Sequence, residues 1–272
     1  MTSAVCPPLG RVIGHRGAAA RTPENTLAGL RRAKQLGCEA VEFDVRLTAD
    51  GALVLCHDAT LDRTTTGRGR VSAQFLAELR GYDAGVRFHP AFAGERVPTL
   101  DEALLVAAEL DLAVNIEIKA DRGRDYATAA AVAASLHRLR GHIGPVLVSS
   151  FLPNAVAALR SLAPEIPRGL LFMLVPRGWA ETALQLGCAA IGADHRRLRP
   201  RRVAEIRAAG YPLLAYTVND PARARLLLAW GVTSVFSDIP DIISHVAAGH
   251  RPDRNKARSV QTEAAPEQGA IQ

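Results

Sequence analysis

Nine short apolar segments recur along the chain: RVIGH (11–15), AVEFDV (40–45), ALVLCH (52–57), VNIEIK (114–119), PVLVSSF (145–151), GLLFML (169–174), AAIGAD (189–194), PLLAYTV (212–218) and SVFSD (234–238). Alanine- and leucine-rich stretches of helical period separate most of them, and this alternation predicts a parallel α/β protein. Only a stretch ending in TADG (48–51) separates the second segment from the third, too little chain for a parallel crossover, so 52–57 is expected to return antiparallel. Asp50-Gly51 suits a two-residue hairpin turn, which would set Asp44 opposite His57. Eight parallel strands then remain, the number of a (β/α)8 TIM barrel.

Thr22-Pro23-Glu24 reads as a helix start, with Thr22 as N-cap, and Gly37 as the matching stop. From about 58 to 112 the pattern is less regular, with LDRTTTGRGR, a helical piece near 72–80 and YDAGVRFHPAFAGERVP; it is expected to be an insertion after the second strand, beside the mouth of a single domain spanning 1–250. Phe88 and Phe92 are expected to pack within it or to wall the mouth. The Thr64-Thr65-Thr66-Gly67 run lacks a Walker ending and reads as a shaped connection. Residues 251–272 have no helical or strand period and read as a polar, disordered tail.

The length of 272 residues fits one such barrel, and 48% hydrophobic residues provide its core. No apolar run approaches a membrane span, and no basic segment followed by an apolar one opens the chain, so a cytoplasmic protein without stable membrane insertion is expected. Cys6, Cys38, Cys56 and Cys188 form no C-x-x-C pair and read as reduced, buried residues. The net charge of +6 is spread along a chain with 5% aromatics, which argues against nucleic acid and suits an anionic small molecule.

Glu42 and Asp44 lie two apart on one predicted strand, and Glu117 and Lys119 two apart on the next barrel strand, so three carboxylates converge on one face. Such carboxylates repel one another unless a cation joins them, and an all-oxygen set favours Mg²⁺, Ca²⁺ or Mn²⁺. His15 and His57 each close a strand beside these acids and suit an acid–base pair for phosphodiester cleavage, with Arg16 and Lys119 as phosphate contacts. Gly17 would let backbone approach the phosphate. His195 also closes a strand and is a weaker candidate.

The motifs HRG (15–17), PENT (23–26), EFDV (42–45), DG (50–51), HD (57–58), RTTTGRG (63–69) and EIK (117–119) resemble those of the glycerophosphodiester phosphodiesterases, as do VSSF (148–151), YTVND (216–220) and FSD (236–238). NIEIK, SSF, PRGLL, LGC and YTVN resemble the bacterial cytosolic type more than the exported one. The resemblance implies a TIM barrel with an inserted subdomain and a hydrolase dependent on Mg²⁺ or Ca²⁺. It further implies Glu42, Asp44 and Glu117 as metal ligands, His15 and His57 as catalytic pair, and Arg16 and Lys119 on the phosphate. Tyr216 stands where the family often has Trp. Similarity to phosphoinositide-specific phospholipases suggests a cyclic phosphate intermediate. Phospholipase-like cleavage of lysolipids, or a non-catalytic glycerophosphodiester sensor, are the alternatives.

Overall fold

A computed structural model describes residues 5–247 and Gly249; the tail expected over 251–272 lies outside the described residues. All nine apolar segments form strands: β1 (Val12–Gly14), β2 (Ala40–Leu47), β3 (Leu53–Leu55), β4 (Ala113–Ile118), β5 (Val146–Ser150), β6 (Arg168–Phe172), β7 (Ala190–Asp194), β8 (Leu213–Tyr216) and β9 (Ser234–Ser237). They pair in the order β1-β9-β8-β7-β6-β5-β4-β2-β3, and a β1–β2 pairing closes the ring. Every pairing within the ring is parallel, and β3 alone returns antiparallel on β2. The fold is therefore a TIM barrel of eight parallel strands.

Side-chain alternation sorts each strand between two environments. Ile13, Ala40, Ala113, Leu147, Ala190, Leu214 and Phe236 point inward and, with Leu9, form an apolar floor inside the barrel. The outward positions, such as Phe43, Val45, Ile116 and Ile118, pack under the surrounding helices. Those helices are α1 (Leu27–Gln35), α3 (Leu100–Glu109), α4 (Asp125–Arg138), α5 (Pro153–Leu162), α6 (Trp179–Gln185), α7 (Pro200–Ala208), α8 (Pro221–Ala229) and α9 (Pro240–Ala247), while α2 (Leu76–Leu79) lies between β3 and α3. Above the floor the inward positions of β2 and β4 change from apolar to charged, which sets the chemistry at that end.

Three local expectations are corrected. The hairpin pairs Val45 with Leu55 and Leu47 with Leu53, so Asp44 faces Cys56, not His57. Its loop has three residues, closed by Thr48 N–H on the Ala52 carbonyl, with Gly51 at φ +82° in the position where a bulged turn needs a left-handed residue. The first helix starts at Leu27, with Thr26 as N-cap accepting from the Gly29 amide; Asn25 at φ +56° interrupts any helix begun at Pro23. Gly37, at φ +84°, does follow its end.

The third correction is α3, which belongs to the outer ring although the irregular insertion was expected to run to 112. Its start carries a reciprocal cap: Thr99 accepts from Glu102 N–H, and Glu102 from Thr99 N–H at 2.8 Å. The segment before it has its own small core of Val54, Cys56, Leu61, Val71, Leu79, Ala84 and Val97. Asp83 ties its tip by accepting from the amides of Gly85, Val86 and Gly94. Phe88 and Phe92 stack edge to face there, 5.6 Å between centroids, with Phe88 exposed. Cys38, Cys56 and Cys188 are buried, and burial pushes each thiol up to about 12, so they pack as neutral groups.

Candidate active site

Register brings the acids together. β2 and β4 are neighbours in the ring, Asp44 beside Glu117 and Glu42 beside Asn115. One carboxylate oxygen each of Glu42, Asp44 and Glu117 lies within 4.8 Å of the others, and all three residues are buried. Lys119 Nζ is 2.5 Å from Glu117 Oε1 and 3.5 Å from Asp44 Oδ1, and Arg16 Nε is 3.4 Å from Asp44 Oδ2. Glu42 Oε1, Asp44 Oδ1 and Glu117 Oε1 have no aligned hydrogen-bond donor, although the Lys119 ammonium closes on the last as an ion pair.

Such a group is electrostatically incomplete. Burial, reinforced by the charges of Asp44 and Glu117, raises Glu42 well above the carboxylate range. Burial and Asp44 likewise push Glu117 up to about 7. Burial would raise Asp44 too, but Lys119, Arg16 and His57 outweigh it and hold it below its ordinary value. Two oxygens on one Ca²⁺ stand at most about 5 Å apart, so the cluster can share a single hard cation. The three undonated oxygens are the atoms that would bind it.

The HRG turn after β1 supplies the next groups. Arg16 adopts φ +50°, which aims its amide at Glu42 Oε2, 2.9 Å away. Its guanidinium reaches Glu24 Oε1 at 2.8 Å. Gly17, at φ +86°, is needed for a different contact from the one expected: a Cβ there would sit 2.6 Å from the Gly29 backbone carbon, so the glycine lets α1 pack close to the turn.

Both imidazoles are held through Nδ1. His15 Nδ1 is 2.6 Å from Asp238 Oδ1, leaving Nε2 toward the acids, 3.8 Å from Glu42 Oε2. Asn219 fixes Asp238 in turn, donating from Nδ2 to Oδ2 at 2.6 Å. His57 Nδ1 is 2.7 Å from Asp58 Oδ1, and Arg46 holds the His57 carbonyl with two guanidinium donors. Burial lowers His57, with Asp44 pulling the other way. His15, Arg16, Glu42, His57, Glu117 and Lys119 line one cleft of about 250 Å³. Its opposite wall is Phe151, Leu171, Met173, Tyr216 and Phe236.

The family model described as "Glycerophosphoryl diester phosphodiesterase family" matches residues 15–242. The chain belongs to this family. A glycerophosphodiester phosphodiesterase of Caldanaerobacter subterraneus is 34% identical over 85% of the chain and 95% of its own length, and one of Bacillus subtilis 33% identical over 88% and 86%. Among solved structures, a phosphodiesterase of Oleispira antarctica, in complex with the product sn-glycerol-3-phosphate, superposes with a TM-score of 0.85 at 39% identity over 88% of this chain and 97% of that one. The chain is thus a glycerophosphodiester phosphodiesterase by family, fold and site composition.

The phosphodiesterase cleft also contains groups that residue type alone left unassigned. Asn25 of the PENT motif grips Asp44 twice, Nδ2 donating to Oδ2 at 2.9 Å and Oδ1 accepting from the Asp44 amide at 3.0 Å. Its left-handed backbone, normally disfavoured outside glycine, is what turns the side chain inward. Arg63 of the RTTTGRG motif binds both oxygens of Glu24, at 2.7 and 2.8 Å, and both of Asp58, at 2.7 and 3.1 Å. One guanidinium therefore joins the acceptor of His57 to the acceptor of Arg16. The motifs containing these residues were visible, but nothing in their spacing said which side chain each would meet. His195 does not line the cleft; its amide donates to the Tyr216 carbonyl.

Proposed function

We propose that the enzyme hydrolyses glycerophosphodiesters to sn-glycerol 3-phosphate and a free alcohol, in a reaction that needs one Mg²⁺ or Ca²⁺ held by Glu42, Asp44 and Glu117. The reading rests on one observation: three buried carboxylate oxygens without donors lie beside two imidazoles, each oriented by a carboxylate. The Oleispira antarctica relative, bound to sn-glycerol-3-phosphate, supports the product. When bound, the ion supplies Lewis-acid activation of the attacking hydroxyl and charge stabilisation at the phosphate.

The chain's own residues perform the proton transfers. With Nδ1–H donated to Asp238, His15 presents an unprotonated Nε2 that accepts the proton of the attacking hydroxyl, the glycerol 2-hydroxyl in a cyclic route. His57 protonates the departing alkoxide from Nε2; its burial disfavours the imidazolium, and the arriving diester anion favours it. Arg16 and Lys119 compensate phosphate charge. A glycerophosphodiester sensor would not need two oriented imidazoles. Four free cysteines, three of them buried and Cys6 only partly so, against the expectation of burial for all four, suit the cytoplasm as the enzyme's location. Among the described residues, no helix is long and apolar enough to cross a membrane.

The test is release of glycerol 3-phosphate from glycerophosphocholine and glycerophosphoethanolamine, with and without chelator, by native, His15→Ala and Glu42→Ala proteins. Activity is expected only in the native, metal-supplied enzyme. Full activity in both variants and in chelator would overturn the assignment. An aryl diester, whose leaving group needs no proton, should rescue His57→Ala but not His15→Ala. A substrate lacking the 2-hydroxyl separates the cyclic route from direct attack by water.

A further inference from the structure

The catalytic cleft is not isolated. Met173, which bounds it just beyond β6, also borders a second, larger cleft of about 390 Å³ between the β6 and β7 ends and α7. The register joins the two sides, since Tyr216 of the catalytic wall is paired with Asp194 of the second cleft. Met173 is thus a lining residue of both clefts.

The charge in this second cleft is one-sided. Arg197, Arg199, Arg201 and Arg202 line it against only two carboxylates, Asp194 and Glu205. Asp194 is occupied by Arg196, which binds both its oxygens, with Nη2 at 2.7 Å from Oδ2. Glu205 accepts from Arg202 and from the Trp179 indole, each at 2.8 Å. Among the described residues, Arg197, Arg199 and Arg201 form no ion pair. Arg199 donates to the Arg196 and Leu198 carbonyls, which leaves its charge without a counter-ion, and guanidiniums that face a common concavity without carboxylate partners focus a positive potential there and suit an oxyanion.

We propose that this arginine cleft receives an anionic group carried by the leaving alcohol, so that the preferred substrates are glycerophosphodiesters whose alcohol bears its own phosphate. The inference rests on the hydrolysis proposed above and names its substrate class. The scissile phosphate occupies the acid-and-histidine cleft, the alcohol passes Met173, and the distal phosphate meets Arg197, Arg199 and Arg201. An anionic membrane is the other partner with this chemistry, and Met173 and Leu174 are exposed at the lip. The arginines, however, line a concavity and do not spread over a convex face, which favours a small ligand.

The experiment compares glycerophosphoglycerol with the same diester phosphorylated on its distal primary hydroxyl. Native enzyme is expected to favour the phosphorylated form by about tenfold in kcat/KM, with the preference shrinking as salt rises. The R197Q/R199Q/R201Q protein should lose that preference and keep its rate on glycerophosphoglycerol. Equal kcat/KM for the two substrates in native enzyme, or a preference that survives in the triple variant, overturns the proposal. So does arginine-dependent flotation with phosphatidylglycerol vesicles in the absence of a substrate preference. Titration with inorganic phosphate, read on the arginine Nε–Hε signals, tests the cleft apart from catalysis: shifts absent from the triple variant support it even if no diester is cleaved, an outcome that would defeat the hydrolysis reading alone. No phosphate-induced shift in native protein overturns the cleft itself.

Discussion

On β2 and β4 the inward positions above the floor are Glu42, Asp44, Asn115 and Glu117, whereas on β6, β7 and β8 they are Leu171, Gly192, Tyr216 and a single acid, Asp194, which Arg196 neutralises. The two halves of the mouth share one backbone periodicity and differ in what it presents: clustered acids on one side, mainly apolar positions on the other. In the charged half, burial and mutual repulsion make Glu42 and Glu117 depend on a bound cation to ionise, so stability is subordinated to chemistry. In the apolar half, the same positions pack as any barrel interior does. The difference implies that chemistry belongs to the β1–β4 side and that the β6–β9 side shapes what binds.

The strongest attack on that division is Glu42→Gln. Removing one of the three ligands should cost several kcal/mol of transition-state stabilisation, roughly a thousandfold in kcat/KM, and abolish Mn²⁺ or Ca²⁺ binding in calorimetry. Because burial and two neighbouring acids already favour the protonated form of Glu42, the metal-free variant should melt within about 2 °C of native protein. A variant that loses activity only by unfolding would contradict this reading.

Asp238→Asn comes next. Asp238 touches no reacting atom; it is a positioning residue that fixes the His15 tautomer through Nδ1. The exchange should lower kcat about 10- to 100-fold with little change in KM, and Asp58→Asn should do the same through His57. Asp238→Glu restoring part of the rate would support positioning, and an unchanged kcat would separate His15 from the chemistry.

A smaller effect follows from pH. Glu117 is pushed up to about 7 and burial raises Glu42 well above its ordinary value, while cation binding needs both ionised. Affinity should fall by at least about tenfold per unit as pH drops below about 7, with proton release detected by calorimetry in different buffers. Since folding raises both values, metal-free protein takes up protons on folding. Its stability is therefore greatest below the unfolded value of about 4.3 where only these groups matter, and declines as pH rises toward the folded values. Metal affinity independent of pH between 6 and 8 would remove Glu117 from the ligand set.

The same contrast explains what the sequence made legible. Glu42, Asp44, Glu117 and Lys119 stood out because a charge alternating with Val41, Phe43, Ile116 and Ile118 has few uses other than function. Strand positions followed from apolar runs bounded by turns, so all nine were found. Asn25, Asp238 and Arg63 depend on contacts across 19, 223 and 39 residues of chain, which no local period encodes. The start of α1 was misplaced for a related reason: Thr22-Pro23-Glu24 is a valid local helix signal, overridden when Asn25 turned left-handed to reach Asp44. Leu171 gave no signal, and Tyr216 only a family resemblance, because a wall of apolar residues facing a ligand reads like one facing the core. The arginine cleft was hidden as well, since the RRLRPRR run resembles a solvated helix start until the fold sets it beside Met173.

Tyr216→Phe is the mildest test and the sharpest for the apolar half. The hydroxyl donates to the Phe172 carbonyl at 2.6 Å, and the ring stacks edge to face on Phe151, 5.5 Å between centroids, beside the Lys119 ammonium. Losing the hydrogen bond should cost about 1 kcal/mol of stability, while the retained ring keeps the wall in place. Metal affinity should stay at its native value, and kcat for glycerophosphoglycerol should change by less than about threefold, since no proton of the reaction passes through the phenol; burial in fact raises its pKa far beyond the working range. A fall in kcat as large as that of a histidine variant would place chemistry on β8 and erase the division between the two halves, whereas a change confined to KM and to the identity of the alcohol would sharpen it.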